Sequence, residues 1–381
     1  MKRLWSVMLA VFLLIGLLPL GASAVETDLA KGAVLMDAAT GTVLMESNAH
    51  VQLPPASVTK VMTMLLVMEA IDGGYIGWGD TVTASETAAA KGGSQIYLKV
   101  GETMTVEELV KSVAVSSAND AACALAEHIS GSETAFVDKM NNRAAELGMK
   151  NTHFVNCTGL DDGEDAVNHR TSAYDIALMS RELLTKHPDI KKFTTIWTDT
   201  VRNGEFGLSN TNKLVRFYKG CTGLKTGYTS GAGFCLSASA ERDGMELIAV
   251  VLGCDTSADR FALCKQMLDQ GFAAYTLIDP VLEQPIFVPV TLGTEKTVQL
   301  IPGQSGAILL DKSQKNQVRI RTEADETVQA PVSRGQKLGV MTVYVGEQVL
   351  AQIPLVAEKP VERLTFGQIF WKILQKVCMS E

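Results

Sequence analysis

Three short polar motifs stand in a fixed order along the chain: Ser57-Val58-Thr59-Lys60, Ser117-Ala118-Asn119 and Lys225-Thr226-Gly227. A serine hydroxyl is a weak nucleophile until a base takes its proton. Residues three apart on a helix share a face, which sets Ser57 and Lys60 side by side. Burial and a neighbouring cation both push a lysine toward its neutral, basic form, and Lys225 is a candidate for that second cation. A helix N-terminus near Ser57 would supply backbone N–H groups to an oxyanion. Ser117 can relay a proton to a leaving amine. Asn119 can hold Lys60 or a substrate carbonyl. Lys225 offers charge, and Thr226 a hydroxyl, to a substrate carboxylate. Gly227 lets a ligand backbone approach a strand closely. The chemistry these groups suit is acyl transfer through a serine ester.

Each motif is weak alone. S-x-x-K arises by chance about once in a chain of this size. S-A-N by itself is more often a helix cap, and K-T-G a turn. The weight lies in order and context, and so in the elements that hold them.

Ala33 to Met36 and Thr42 to Met45 read as two strands around a turn. Pro54 and Pro55 lead into a helix from about Ser57 to Ile71, apolar almost all round and so expected to be buried, with Gly73-Gly74 as its stop. Thr105-Val106-Glu107-Glu108 is a capping box that opens a helix to about Val115. A second helix runs from about Asp120 to Ile129, leaving Ser117-Ala118-Asn119 in the break. Ser132 caps another, with Phe136, Met140, Ala144 and Leu147 on one face. Gly223 to Thr229 reads as a strand, Phe234 to Ala240 as a second, and Asp243-Gly244 as a hairpin turn before a third at Leu247 to Leu252. A helix from about Ser257 to Gln270 carries Arg260, a weaker substrate-binding candidate that a surface helix charge would explain equally well. The expected fold is α+β: an antiparallel five-stranded sheet covered by helices.

The ends differ in character. Lys2 and Arg3, the apolar stretch Leu4 to Leu20 and Ala22-Ser23-Ala24 read as a cleaved secretory signal over residues 1–24, in preference to a retained membrane helix. The main domain is expected over residues 25–276 and a small all-β domain over 277–360. Over residues 361–381, Phe366, Ile369, Phe370, Ile373, Leu374 and Val377 form one face of an amphipathic helix with Trp371 at its border. Such a helix suits a membrane interface; docking on its own protein is the alternative. Hydrophobic residues make up 46% of the chain, enough to fill a sizeable core.

The formal net charge is −8, from 34 Lys and Arg against 42 Asp and Glu, which argues against a nucleic-acid partner. The seven cysteines form no C-x-x-C, and the five histidines no H-E-x-x-H, so no metal or cofactor is expected. An odd cysteine count cannot pair fully within one chain. Buried, unpaired thiols are preferred over a disulfide framework.

The three motifs together are the signature of penicillin-binding proteins and class A β-lactamases. The chain resembles the low-molecular-weight penicillin-binding proteins, the serine D-alanyl-D-alanine carboxypeptidases. The second motif, Ser-Ala-Asn, is nearer to that group than to the S-D-N lactamases. The resemblance extends to Pro54-Pro55-Ala56-Ser57, Gly93-Ser94-Gln95-Ile96, Gly148-Met149-Lys150-Asn151-Thr152-His153-Phe154 and Gly223-Leu224-Lys225-Thr226-Gly227-Tyr228-Thr229, and covers roughly residues 28 to 275. It is nearest to the sporulation-associated form of Gram-positive spore formers. It implies a β-lactamase/transpeptidase-like fold, Ser57 as the acylated residue, Lys60 as proton acceptor and Ser117 assisting. Lys225 would bind the terminal carboxylate, and the N–H groups of Ser57 and Tyr228 would line the oxyanion hole. The implied partners are the peptidoglycan stem peptide and, as covalent inhibitors, β-lactams, at the extracytoplasmic face of the membrane. A serine β-lactamase is the enzymatic alternative, which needs a placed glutamate and water for deacylation. A non-enzymatic wall or membrane scaffold is the third reading, and it has no need of Ser57 beside Lys60.

Overall fold

A computed structural model of the chain describes residues 23–24, 29–303 and 306–378. The expected leader falls outside them, apart from Ser23–Ala24. The described chain divides into two compact units, with the boundary along the chain between Ala274 and Tyr275.

The first unit is built on β1 (Gly32–Asp37), β2 (Val43–Ser47), β3 (Cys221–Thr229), β4 (Gly233–Arg242) and β5 (Met245–Cys254). These five pair antiparallel in the order β2-β1-β5-β4-β3, and Ser23–Ala24 adds a short parallel edge beside β2. The β4–β5 hairpin turns at Asp243 and Gly244, with φ of 50° and 76°. Two successive positive φ values are what a two-residue turn needs to match the strand twist. From Cys235 to Ala240 every residue of β4 is buried, polar ones included. A strand so enclosed has both faces covered. Ser237 and Ser239 meet this by side-chain hydrogen bonds to Ser180 at 2.9 Å and Thr222 at 2.7 Å.

The helices that matter to the site are α1 (Lys60–Asp72), α2 (Val106–Ser116), α3 (Asn119–Ser130), α4 (Glu133–Glu146), α5 (Ala173–Lys186) and α6 (Ser257–Ala274). α1 is buried at every position from Lys60 to Met68 and is the centre of the core. The capping box of α2 is present: Glu108 N donates to Thr105 Oγ1 at 3.2 Å, and Thr105 N to Glu108 Oε2 at 3.4 Å. Ser132 caps α4 by accepting from Ala135 N. α6 runs four residues past the expected Gln270, to Ala274.

The second unit carries a six-stranded sheet of β6 (Ile286–Thr291), β7 (Thr297–Pro302), β8 (Val318–Ala324), β9 (Val328–Gln329), β10 (Lys337–Val345) and β11 (Gln348–Ala357), ordered β8-β10-β11-β7-β6-β9. Its core gathers Val288, Leu300, Leu338, Met341, Val343 and Leu355. The unit ends in α7 (Phe366–Cys378), on which Phe366, Phe370, Trp371, Ile373 and Leu374 are all exposed. No helix among the described residues is long and apolar enough to cross a membrane.

Candidate active site

The serine turn departs from the expected helix start. Ala56–Thr59 is a 3-10 turn, and the α-helix begins only at Lys60. Pro54 and Pro55 deny an N–H to a preceding helical turn, and Ala56 takes a left-handed φ of 49°. That conformation is costly for a residue with a Cβ and persists only where its surroundings hold it. Thr59 Oγ1 donates to Ala56 O at 2.8 Å and lies 2.7 Å from His169 Nε2. The threonine has spent its one hydrogen on Ala56, so His169 Nε2–H is the donor in the second bond. His169 Nδ1 correspondingly accepts from Val155 N at 3.1 Å. Burial is the main force pushing the pKa of this ring down to about 4, which keeps it in the neutral tautomer the network needs. Gly159, at φ 82°, closes the other side. A Cβ there would stand 1.8 Å from Ala56 O.

Lys60 is wholly buried. Its Nζ lies 3.0 Å from Ser57 Oγ and donates to Thr158 O at 2.7 Å. Burial lowers its pKa to about 7, against smaller opposing effects of Cys157 and Asp120. The loop that presents Thr158 is folded around Asn156, whose Oδ1 accepts from Thr158 N at 3.1 Å and Gly159 N at 2.6 Å.

Ser117 closes α2 in a left-handed conformation, φ 66°, and Asn119 is the first residue of α3. Asn119 Nδ2 donates to Gly92 O at 2.7 Å. That bond fixes the amide orientation and leaves Oδ1 buried without a partner. The open group on Asn119 is therefore an acceptor, suited to an amide N–H or an ammonium. The neighbouring Asp120 carboxylate accepts from Ile96 N and Leu98 N, at 3.1 Å and 2.9 Å, and so ties the Gly93–Ile96 segment to α3.

The third motif lies on β3, directly against the serine turn. A Cβ on Gly227 would come within 2.7 Å of Pro55 O and 3.1 Å of Ser57 N. Glycine is thus what allows the two backbones to lie side by side. Thr226 Oγ1 donates to Thr211 Oγ1 at 2.6 Å. Lys225 is buried, and its Nζ donates to Thr226 O at 3.0 Å. Burial, then the charges of Lys60 and Arg260, lower its pKa well below the usual lysine range. An anion arriving beside it would favour its charged form. Tyr228 is 56% exposed and stacks on Phe234. Arg260 is only 8% exposed, which removes the surface-charge explanation. Its guanidinium donates to Gly227 O at 2.8 Å and Cys235 O at 3.2 Å, bracing β3 and β4 through their backbones.

With this geometry in view, comparison with known proteins places the chain. Residues 21–256 match the model of the D-alanyl-D-alanine carboxypeptidase family, and residues 284–363 that of the penicillin-binding protein 5 C-terminal domain. The chain belongs to the D-alanyl-D-alanine carboxypeptidase family. It is 42% identical to D-alanyl-D-alanine carboxypeptidase DacF of Bacillus subtilis, over 96% of each chain. Among solved structures it is similar to penicillin-binding protein 5 of Haemophilus influenzae, at 32% identity and TM-score 0.75, covering 89% of this chain and 99% of that one. It is also similar to penicillin-binding protein D2 of Listeria monocytogenes in an ampicillin-bound form, at 33% identity and TM-score 0.58, covering 64% and 97%.

Several residues of this candidate site carry no sequence motif of their own. His169 is far along the chain from Thr59, and only folding joins them. Asn156 and Gly159 act through a loop with no periodicity to reveal it. An Asn-x-x-Gly pair beside the quoted His153-Phe154 segment was the available hint. Glu133, Cys123 and Cys157 also converge, their ligand atoms within 4.8 Å of one another, although no metal spacing links them in sequence.

Proposed function

We propose that the protein is a serine D-Ala-D-Ala carboxypeptidase that removes the terminal D-alanine from peptidoglycan pentapeptide stems. The observation that carries this reading is the 3.0 Å contact between Ser57 Oγ and a fully buried Lys60 with a pKa near 7. Neutral Lys60 takes the serine proton, and Ser57 Oγ attacks the carbonyl of the penultimate D-alanine. The N–H groups of Ser57 and Tyr228 receive the oxyanion. Ser117 passes a proton to the departing amine. Lys225, with Thr226, holds the terminal carboxylate, and Asn119 accepts from a peptide N–H. Release of D-alanine makes room for water to hydrolyse the ester. A β-lactam would acylate the same serine but keep its leaving amine tethered, so its ester would be long-lived. No metal or organic cofactor enters these steps.

We read residues 25–276 as the catalytic domain, 277–360 as an all-β domain and 361–381 as an interfacial anchor, reached after export and removal of residues 1–24. The exposed apolar side chains of α7 support the anchor.

The test pairs a fluorescent penicillin with a D-Ala-D-Ala peptide. The expected result is repeated release of D-alanine together with a penicilloyl adduct on Ser57 that persists for minutes, and neither with Ser57→Ala. Rapid multiple-turnover hydrolysis of penicillin without D-alanine release would overturn the proposal in favour of a β-lactamase.

A further inference from the structure

All six cysteines whose side chains are described are free thiols. One pair stands apart. Cys123 lies on α3, and Cys157 in the loop whose next residue supplies the Thr158 carbonyl to Lys60. Their sulfurs and the Glu133 carboxylate lie within 4.8 Å of one another. The carboxylate accepts from Cys157 Sγ at 3.2 Å and Cys123 Sγ at 3.9 Å, from Cys157 N at 3.2 Å, and from Lys91 Nζ at 2.5 Å. Lys91 in turn lines a cavity of about 310 Å³ together with Gly92, Asn156 and Thr158.

We propose that Cys123 and Cys157, both fully buried, are a disulfide-forming pair, which a small disulfide oxidant joins into a covalent brace between α3 and the Thr158 loop. One of the two thiols loses its proton. The resulting thiolate attacks the oxidant's disulfide, releasing one oxidant thiol and leaving a mixed disulfide. The second cysteine then attacks the protein-bound sulfur, loses its proton and expels the second oxidant thiol. Two protein S–H bonds and the oxidant's S–S bond are lost; one protein S–S bond and two oxidant thiols are gained. The two electrons pass to the oxidant.

A resident metal fits these residues less well. Only three ligand side chains converge, and the ammonium of Lys91 already sits on the carboxylate. The brace acts on the catalytic elements, because α3 begins at Asn119 and the loop holds Lys60. It also closes the chain between residues 123 and 157, which restricts the unfolded state.

The full-length protein is equilibrated in oxidised glutathione or in excess dithiol, alkylated under denaturing conditions, digested and mapped by mass spectrometry. The oxidised sample should yield a Cys123–Cys157 linked peptide, lighter by two hydrogens than its reduced parts. The temperature at which penicillin labelling is half lost should be about 5–10 °C higher in the oxidised sample. That difference should vanish in Cys123→Ala and in Cys157→Ala. The oxidised-against-reduced comparison of the unaltered protein stands by itself if either variant folds poorly. Alkylation of both cysteines after oxidation would overturn the proposal. So would a linkage to other cysteines instead, or one zinc retained per chain that shields both thiols.

Discussion

At the scale of single residues, the proposed chemistry depends on a lysine kept neutral by burial. Lys60 should need to be neutral for Ser57 to react, so acylation by penicillin should fall about tenfold for each pH unit below about 7 and level off above it. A rate measured by stopped-flow that is flat from pH 5 to 8 would remove Lys60 from the role of base. Lys60→Ala should cut acylation by about 10²–10⁴-fold while leaving noncovalent binding in place, as read by single-turnover kinetics. Thr59→Val should cost about 1–3 kcal/mol in a denaturant titration, because it removes one bond to Ala56 O and leaves the buried His169 Nε2–H without its acceptor. The residue types of the proposed chemistry were legible in the sequence through the order and context of the three motifs, each of which alone has an ordinary structural use. Thr59 was quoted only as motif filler. Its partner His169 was invisible, because a hydrogen bond between distant residues leaves no local pattern. Arg260 was visible as a charge, but its direction toward backbone carbonyls depends on how α6 packs on the sheet.

At the scale of elements, the site is a seam between a turn and a strand. Gly227→Ala places a methyl 2.7 Å from Pro55 O, and β3 must draw back from Ser57. The expected cost is about 1–3 kcal/mol of stability, with acylation slowed about 100-fold by the misplacement. Calorimetry and labelling kinetics would check both, and normal acylation in the variant would show that the seam has slack. The strands, the capping box and the hairpin turn could be read ahead because each rests on short-range chemistry: alternation, a threonine three residues from a glutamate, an Asp-Gly pair. The serine turn could not. Spacing predicts that Ser57 and Lys60 meet, and they do. That they meet across a 3-10 turn follows from a left-handed Ala56, which is pinned by Thr59 within the motif and by Gly159 from outside it.

At the scale of the molecule, the exposed apolar face of α7 belongs to a helix too short to span a bilayer. Deleting residues 361–381 should therefore leave an active enzyme that no longer sediments with anionic lipid vesicles, and undiminished sedimentation would discard the anchor. The α+β plan was legible as two early strands, three late ones and helices between; the order in which they pair was not, since register is a long-range matter. That register has a consequence for synthesis. Leu35 lies beside Ala249, so the sheet is closed by the first and last long strands of its unit. Pairing across such a separation must wait for the distant partner and is entropically slow. A growing chain has made Ser57 and Lys60 long before it has made β5. Nascent chains arrested before residue 245 should then take up no fluorescent penicillin, and labelling should appear in a single step once residue 254 is free of the ribosome. The nucleophile is, on this view, kept idle by the order of translation, and graded labelling of shorter chains would show instead that the serine turn assembles unaided.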